Sequence, residues 1–288
     1  MTLLRQGYAR HDLVVRGGRL SVHEWNVGSA VDADPLVLLH GFTGSGRSWA
    51  QAVALLSYPG RVLAPDLPGH GHSCFDQGER ACTVDVFAAA LDDALDALGA
   101  SRVVLAGYSM GGRVALHYAI TRQPRLSRLV LESASAGIAT SEERESRVRA
   151  DEELASYVLA EGMERFVDCW ERTPVLDGLT RLPAVERARL RELRLANAPE
   201  GLAASLHGMG TGAQAYLGSR LEEIAIPTLV IAGAEDAKFS AIAEALAAGI
   251  PKSTLAILPN VGHTPHLEAP AQWAEVVGSF IKAGQRAG

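Results

Sequence analysis

Gly107-Tyr108-Ser109-Met110-Gly111 decides the fold of this 288-residue chain. The pentapeptide follows an apolar run at 102–106 that reads as a strand, and it precedes a helical pattern at 110–121. A G-x-S-x-G sequence in that setting is a tight turn that lifts a serine hydroxyl above a sheet. The small residues permit the turn, and the helix beyond it aims free N–H groups at a reacting oxygen. Ser109 is thus the candidate reactive residue, and Met110 supplies one N–H of a candidate oxyanion hole.

Working outward, 11–15 and 19–25 flank Gly17-Gly18 and predict a β-hairpin. Segments 35–39, 61–64 and 126–131 read as buried strands, and 83–98 as a helix stopped by Gly99. Strands alternating with helices of this length require right-handed crossovers and a mostly parallel sheet, with the hairpin giving antiparallel strands at one edge. Residues 137–216 break the rhythm: they look helical and amphipathic, and arginine is the only Lys/Arg-type residue there. The alternation resumes with a strand at 226–232, a helix at 237–249, a strand at 254–258 and a helix at 270–283. The expected architecture is α/β: a core of residues 1–136 and 217–288, its sheet flanked by helices, with a helical lid, 137–216, over the carboxyl edge where such sheets bind ligands.

The partners of Ser109 follow in chain order. Asp236 closes Gly233-Ala234-Glu235-Asp236 after one strand, and His263 closes Asn260-Val261-Gly262-His263 after the last. A histidine oriented by Asp236 exchanges a proton with Ser109. Glu132, at the end of the 126–131 strand, is the alternative acid, and His266 is the competing histidine. His11, His23, His117 and His207 fit surface or core positions. His40-Gly41-Phe42-Thr43-Gly44 ends a strand, and the Phe42 N–H pairs with that of Met110 as the oxyanion hole. Its glycine-rich continuation predicts a mobile loop. His70 and His72, in Asp66-Leu67-Pro68-Gly69-His70-Gly71-His72-Ser73, have the spacing of metal ligands but no third ligand, so the stretch reads as a structural loop.

Composition excludes more than it selects. Hydrophobic residues make up 48% and charged residues 21%, which is ordinary for a globular chain able to bury a large core. A net charge of −6 argues against nucleic acid or an anionic membrane as partner. The three cysteines fit no ligand spacing and read as reduced thiols. Neither an apolar leader after Met1-Thr2-Leu3-Leu4-Arg5-Gln6 nor an apolar run of about 18 residues is present, so a cytoplasmic protein without a membrane anchor is expected. There is no G-x-G-x-x-G with its acidic partner, no phosphate-binding loop of the Walker type and no metal cluster, and no cofactor is expected.

From about residue 14 to 280 these motifs resemble the α/β-hydrolase superfamily. Further pieces are more specific: Tyr108-Ser109-Met110-Gly111-Gly112-Arg113, Asp236-Ala237-Lys238-Phe239, and Trp170 with Pro174-Val175. Together they resemble the MenH family, 2-succinyl-6-hydroxy-2,4-cyclohexadiene-1-carboxylate synthases of menaquinone biosynthesis. The resemblance implies a lyase acting on a small tricarboxylate. In it Ser109, activated by His263, removes a ring proton alpha to a ketone and pyruvate is expelled without an acyl-enzyme. It also implies Arg113, Arg144, Arg194 and Lys238 as carboxylate binders and Tyr108 and Trp170 as pocket walls. Arg147 and Arg149 lie close enough in sequence to exchange roles with Arg144. A charged guanidinium one turn past the serine suits a carboxylate-bearing substrate better than an apolar ester. Two other functions fit the same residues: a serine hydrolase of esters or carbon–carbon bonds, in which Ser109 is acylated, and a non-catalytic small-molecule sensor.

Overall fold

The computed structural model describes residues 7–29, 32–75 and 82–283. The Met1–Gln6 stretch read above lies outside them. Strands β1 (Tyr8–Val15) and β2 (Gly18–Trp25) form the expected hairpin, paired from Tyr8↔Trp25 to Val15↔Gly18. β1 starts earlier than the apolar pattern indicated, because as an edge strand it alternates exposed and half-buried residues and needs little hydrophobicity. The sheet continues through β3 (Leu36–Leu39), β4 (Val62–Pro65), the short β5 (Cys74–Phe75), β6 (Val103–Tyr108), β7 (Leu126–Glu132), β8 (Thr228–Gly233) and β9 (Ser253–Leu258). Its order is β1-β2-β4-β3-β6-β7-β8-β9, with β5 on β2. All pairs from β4 to β9 are parallel, and β2 pairs antiparallel with β1, β4 and β5.

Period-two alternation builds two cores from one set of strands. Val37, Leu39, Leu105, Leu129 and Leu131 face helices α2 (Val84–Ala97), α3 (Met110–Arg122) and α7 (Ala237–Gly249). Leu36, Leu38, Val104, Ala106 and Val130 face α1 (Ala50–Leu56) and α9 (Pro270–Ala283), with Trp49 and Trp273 filling that layer. Each fully buried leucine contributes about 1.5–3 kcal/mol by leaving water. Capping follows the sequence: the Thr83 hydroxyl accepts the Val86 N–H at 3.3 Å, and Gly99 takes the left-handed conformation (φ +67°) just past α2. The cysteines are free thiols, and no helix of the described residues is long and apolar enough to cross a membrane.

Between β7 and β8 the chain is helical, with α4 (Ser141–Trp170), a 3-10 stretch Pro174–Arg181, α5 (Ala184–Leu195) and α6 (Pro199–Met209). Gly162 (φ 74°, ψ 175°) bends α4, so that its first half and its second half present different walls. This insertion has its own core of Ala155, Val158, Phe166, Val167, Leu202 and Leu206, against which Phe42 packs. It meets the body of the protein main chain to main chain at Gly208, where an added Cβ would fall 2.3 Å from Cys82 O, and reciprocally at Gly69 and Gly201. A Cβ on Gly69 would fall 2.1 Å from Gly201 O, and one on Gly201 would fall 2.5 Å from Gly69 O. Below the insertion lie the carboxyl ends of β3, β6, β7, β8 and β9.

Candidate active site

Ser109 sits at the end of β6 with φ 51° and ψ −110°, a conformation that a non-glycine residue keeps only when its surroundings impose it. Glycines make the elbow possible by close approach: a Cβ on Gly107 would lie 2.2 Å from Gly111 O, and one on Gly111 2.3 Å from Leu39 O. The Ser109 N–H donates to Glu132 O at 2.9 Å and its carbonyl accepts from Arg113 N at 3.0 Å, anchoring the turn to β7 and α3.

Asp236 and His263 converge on this serine from two other loops. His263 Nε2 is 3.2 Å from Ser109 Oγ, and His263 Nδ1 is 2.7 Å from Asp236 Oδ2. Asp236 can only accept, so Nδ1 carries the proton and Nε2 faces the hydroxyl as a base. Asp236 Oδ1 caps α7 by accepting the Phe239 N–H at 3.1 Å, so each carboxylate oxygen has its own task. Burial works to raise the Asp236 pKa, but the His263 and Phe239 hydrogen bonds and the charge of Lys238 outweigh it and hold it below the usual value. The His263 loop is fixed by Glu268, which accepts Gly262 N–H at 2.8 Å and Thr264 N–H at 2.9 Å.

Glu132 and His266, the competing acid and histidine, are bound to each other. His266 Nδ1 lies 2.6 Å from Glu132 Oε1, which also accepts the His266 N–H at 3.1 Å, and Trp273 Nε1 donates to Oε2 at 2.8 Å. Among the described residues neither side chain hydrogen-bonds the Ser109 hydroxyl; Glu132 meets Ser109 only through its main-chain carbonyl. His11, His117 and His207 pair with Glu24, Asp85 and Glu152, and neither these nor His23 line the cavity described next. Both ring nitrogens of His70 are engaged by backbone, Nε2 accepting from Thr43 N–H and Nδ1 donating to Pro68 O. No group of three or more His, Cys, Asp or Glu residues placed to hold a metal occurs among the described residues.

A cavity of about 660 Å³ opens over Ser109. Phe42, Tyr108, Met110, Trp170 and Phe239 wall it, with Trp170 edge-on to Phe42 at 5.3 Å. Among the described residues neither the Phe42 nor the Met110 N–H has a protein acceptor, which leaves both for a ligand oxygen. Tyr108 stays a neutral phenol, since burial and the nearby Glu132 push its pKa well up.

Four cations line the cavity, Arg113, Arg147, Arg194 and Lys238, against one carboxylate among the described lining residues, Glu143. Arg113 is 8% exposed, and its Nη1 donates to Met209 O at 3.0 Å and Gln214 Oε1 at 2.8 Å. Both acceptors are neutral, and Arg113 has no ion-pair partner among the described residues. Burial, with a contribution from Arg147, lowers its pKa to about 10, so it stays charged at neutral pH. Arg194 pairs with Glu171 at 2.7 Å. Lys238 is exposed at the rim and lies 5.9 Å from the Phe239 ring.

Arg144 is a correction. It does not line the cavity; Arg147, three residues on, does, together with Glu143. Helical phase is the reason: at 3.6 residues per turn, positions 143 and 147 fall on one stripe of α4 and 144 is turned about 100° from 143. Arg147 is braced by Asp151 at 2.7 Å, and Arg149 is outside the cavity as well. Sequence reasoning also missed Gln214, which holds Arg113, and Asn197, which touches Thr43 O and Gly71 N. Neither had a signal in the sequence: Asn197 stands two residues past the end of α5 and lacks the left-handed backbone of a helix stop.

Comparison with known proteins agrees with this geometry. A family model described as alpha/beta hydrolase fold matches residues 34–270. A 2-succinyl-6-hydroxy-2,4-cyclohexadiene-1-carboxylate synthase of Serratia proteamaculans (strain 568) is 33% identical over 248 residues, covering 85% of this chain and 92% of that protein. A Bacillus subtilis (strain 168) protein that carries the same name provisionally is 40% identical over 249 residues, 86% of this chain and 90% of its own length. Among solved structures, MenH from S. aureus superposes with a TM-score of 0.85 at 35% identity, covering 89% of this chain and 97% of that one.

Proposed function

The chain belongs to the alpha/beta hydrolase family and, within it, to the 2-succinyl-6-hydroxy-2,4-cyclohexadiene-1-carboxylate synthases, and from that premise we infer its reaction. It is a carbon–oxygen lyase that eliminates pyruvate from 2-succinyl-5-enolpyruvyl-6-hydroxy-3-cyclohexene-1-carboxylate in menaquinone biosynthesis. The observation that carries this reading is a serine–histidine–aspartate relay opening on a cavity whose deepest cation, Arg113, is buried without a carboxylate partner. A buried unpaired charge is costly, and an incoming carboxylate relieves that cost through charge-assisted hydrogen bonds. The substrate bears three carboxylates, and Arg113, Arg147, Arg194 and Lys238 are arranged to receive and orient them.

In the reaction the Ser109 proton passes to His263 Nε2 as the serine oxygen takes the ring proton alpha to the succinyl ketone. The developing enolate oxygen accepts from the N–H groups of Phe42 and Met110. The electron pair returns through the ring double bond and breaks the carbon–oxygen bond to the enolpyruvyl group. The departing enolate takes up, at its methylene carbon, the proton that His263 received, and becomes pyruvate. Residues 137–216 act as a lid that carries Arg147, Trp170 and Arg194 to the ligand, over a core of 1–136 and 217–288. Such an enzyme of quinone precursor synthesis works in the cytoplasm.

The test is pyruvate release from the enolpyruvyl substrate generated in situ from isochorismate and 2-oxoglutarate. Wild type is expected to accelerate release over the enzyme-free control, and Ser109→Ala to abolish the acceleration. The same 3.2 Å serine–histidine contact also suits acyl transfer. Absence of acceleration together with a trapped acyl-Ser109 on ester substrates would replace the lyase with a hydrolase.

A further inference from the structure

Thr43 follows the oxyanion-hole donor Phe42 and is the next peptide unit along the loop. It has φ 65° and is 2% exposed, a left-handed conformation unfavourable for a β-branched residue. Such a conformation persists only where neighbours over-determine it. Two side chains do so here. His70 Nε2 accepts the Thr43 N–H at 3.2 Å, and Asn197 Nδ2 donates to the Thr43 carbonyl at 2.9 Å. Asn197 comes from the far end of α5, 154 residues away in sequence.

Asn197 uses its whole amide. Oδ1 accepts the Gly71 N–H at 2.9 Å, and Nδ2 also donates to Arg194 O at 3.0 Å. Gly71 N can only donate and Thr43 O can only accept, so the amide orientation is fixed by its partners. One buried side chain therefore joins the oxyanion loop, the turn that carries His70, and the helix end that carries Arg194.

We propose that Asn197 is a positioning residue that sets the oxyanion loop, holding the Phe42 N–H where charge develops and joining it mechanically to the Arg194 turn. The proposal rests on the lyase reading for its substrate but not for its geometry. Asn197 touches neither substrate nor the reacting atoms; it acts through Thr43.

The experiment compares wild type, Asn197→Ala, Asn197→Asp and Arg194→Ala in pyruvate release, with folding checked by circular dichroism. Asn197→Asp keeps the shape and the acceptor for Gly71 and removes the Nδ2 donor to Thr43 O and to the α5 end at Arg194 O. Both Asn197 variants are expected to lose kcat by about 10- to 100-fold with KM within about threefold, as a displaced oxyanion donor does. Arg194→Ala is expected to raise KM instead. A folded Asn197→Asp with kcat within twofold of wild type, or one that raises KM as Arg194→Ala does, overturns the proposal. A parallel arm measures labelling of Ser109 by a fluorophosphonate, whose phosphoryl oxygen uses the same N–H groups, and the same 10- to 100-fold slowing is expected. If wild type releases no pyruvate above the enzyme-free control, the lyase reading falls while the labelling rate still decides the role of Asn197.

Discussion

Two histidine–carboxylate pairs lie side by side, and their hydrogen bonds are nearly the same length: 2.7 Å between His263 and Asp236, 2.6 Å between His266 and Glu132. Tyr108 touches both imidazoles edge-on, at 5.5 and 4.8 Å. What differs is the third group. His263 presents its free nitrogen to a serine hydroxyl on a strained turn, with an open cavity above. His266 is sandwiched against the Trp49 ring at 4.1 Å, and its carboxylate is saturated by Trp273 and by the His266 backbone. A pair becomes a proton relay only when something reactive completes it; otherwise it is a buried polar bolt between β7 and the C-terminal helices.

The largest expected effect breaks the first pair. Ser109→Ala or His263→Ala is expected to lower kcat by roughly 10³–10⁴-fold or more, with a melting temperature close to wild type, measured by pyruvate release and calorimetry. Glu132→Gln is expected to do the reverse. It places an amide where a carboxylate accepts from three donors, His266 N–H, His266 Nδ1–H and Trp273 Nε1–H, and should cost about 3–5 kcal/mol in denaturant unfolding, with kcat of the folded fraction within about tenfold. A Glu132→Gln enzyme as inactive as Ser109→Ala yet fully stable would erase the distinction.

Arg113→Met sharpens the comparison by leaving both pairs in place and removing the charge a ligand meets. KM is expected to rise about 10- to 100-fold, the worth of a charge-assisted hydrogen bond, with kcat changed much less. A pH-dependent effect, gradual and without loss of either pair, concerns histidines hydrogen-bonded only to backbone. Burial lowers the pKa of His40 to about 4 and of His70 to about 3, against 6.5 unperturbed. The folded protein keeps them neutral while the unfolded chain protonates below 6.5. Their contribution to stability is thus complete above pH 6.5 and is lost as pH falls towards 4, by at most about 1.4 kcal/mol per pH unit for each. Asp236 is depressed too, so its contribution is lost only below its unfolded value of 3.8. Melting curves from pH 7 to 4 check this, and His70→Gln is expected to flatten the slope.

Most of the sheet was legible because buried parallel strands are short apolar runs and each one here ends at a recognisable loop. The relay was legible for the same reason, since Ser109, Asp236 and His263 each follow a strand that the pattern identifies. Helical phase was not legible at the start of α4: Arg144, Arg147 and Arg149 crowd one stretch, and only packing chooses which faces inward. The pairing of Glu132 with His266 was hidden as well, because contacts across 134 residues depend on how β7 and α8 (Pro265–Glu268) meet. The oxyanion loop was expected to be mobile from its glycines. Instead Thr43 is bonded on both sides, by His70 and by Asn197, neither of which is near it in sequence.

The Gly69–Gly201 contact bears on how such proteins diverge and how they can be rebuilt. Where two segments meet through side chains, substitutions can retune the fit a little at a time. Here the seam is main chain against main chain, and any added carbon on either side collides with a carbonyl. The helical region is consequently not an interchangeable cassette. A chimera grafting another relative's helices in place of residues 137–216 must bring along the matching 66–73 turn, because resurfacing cannot repair a misfit between two backbones.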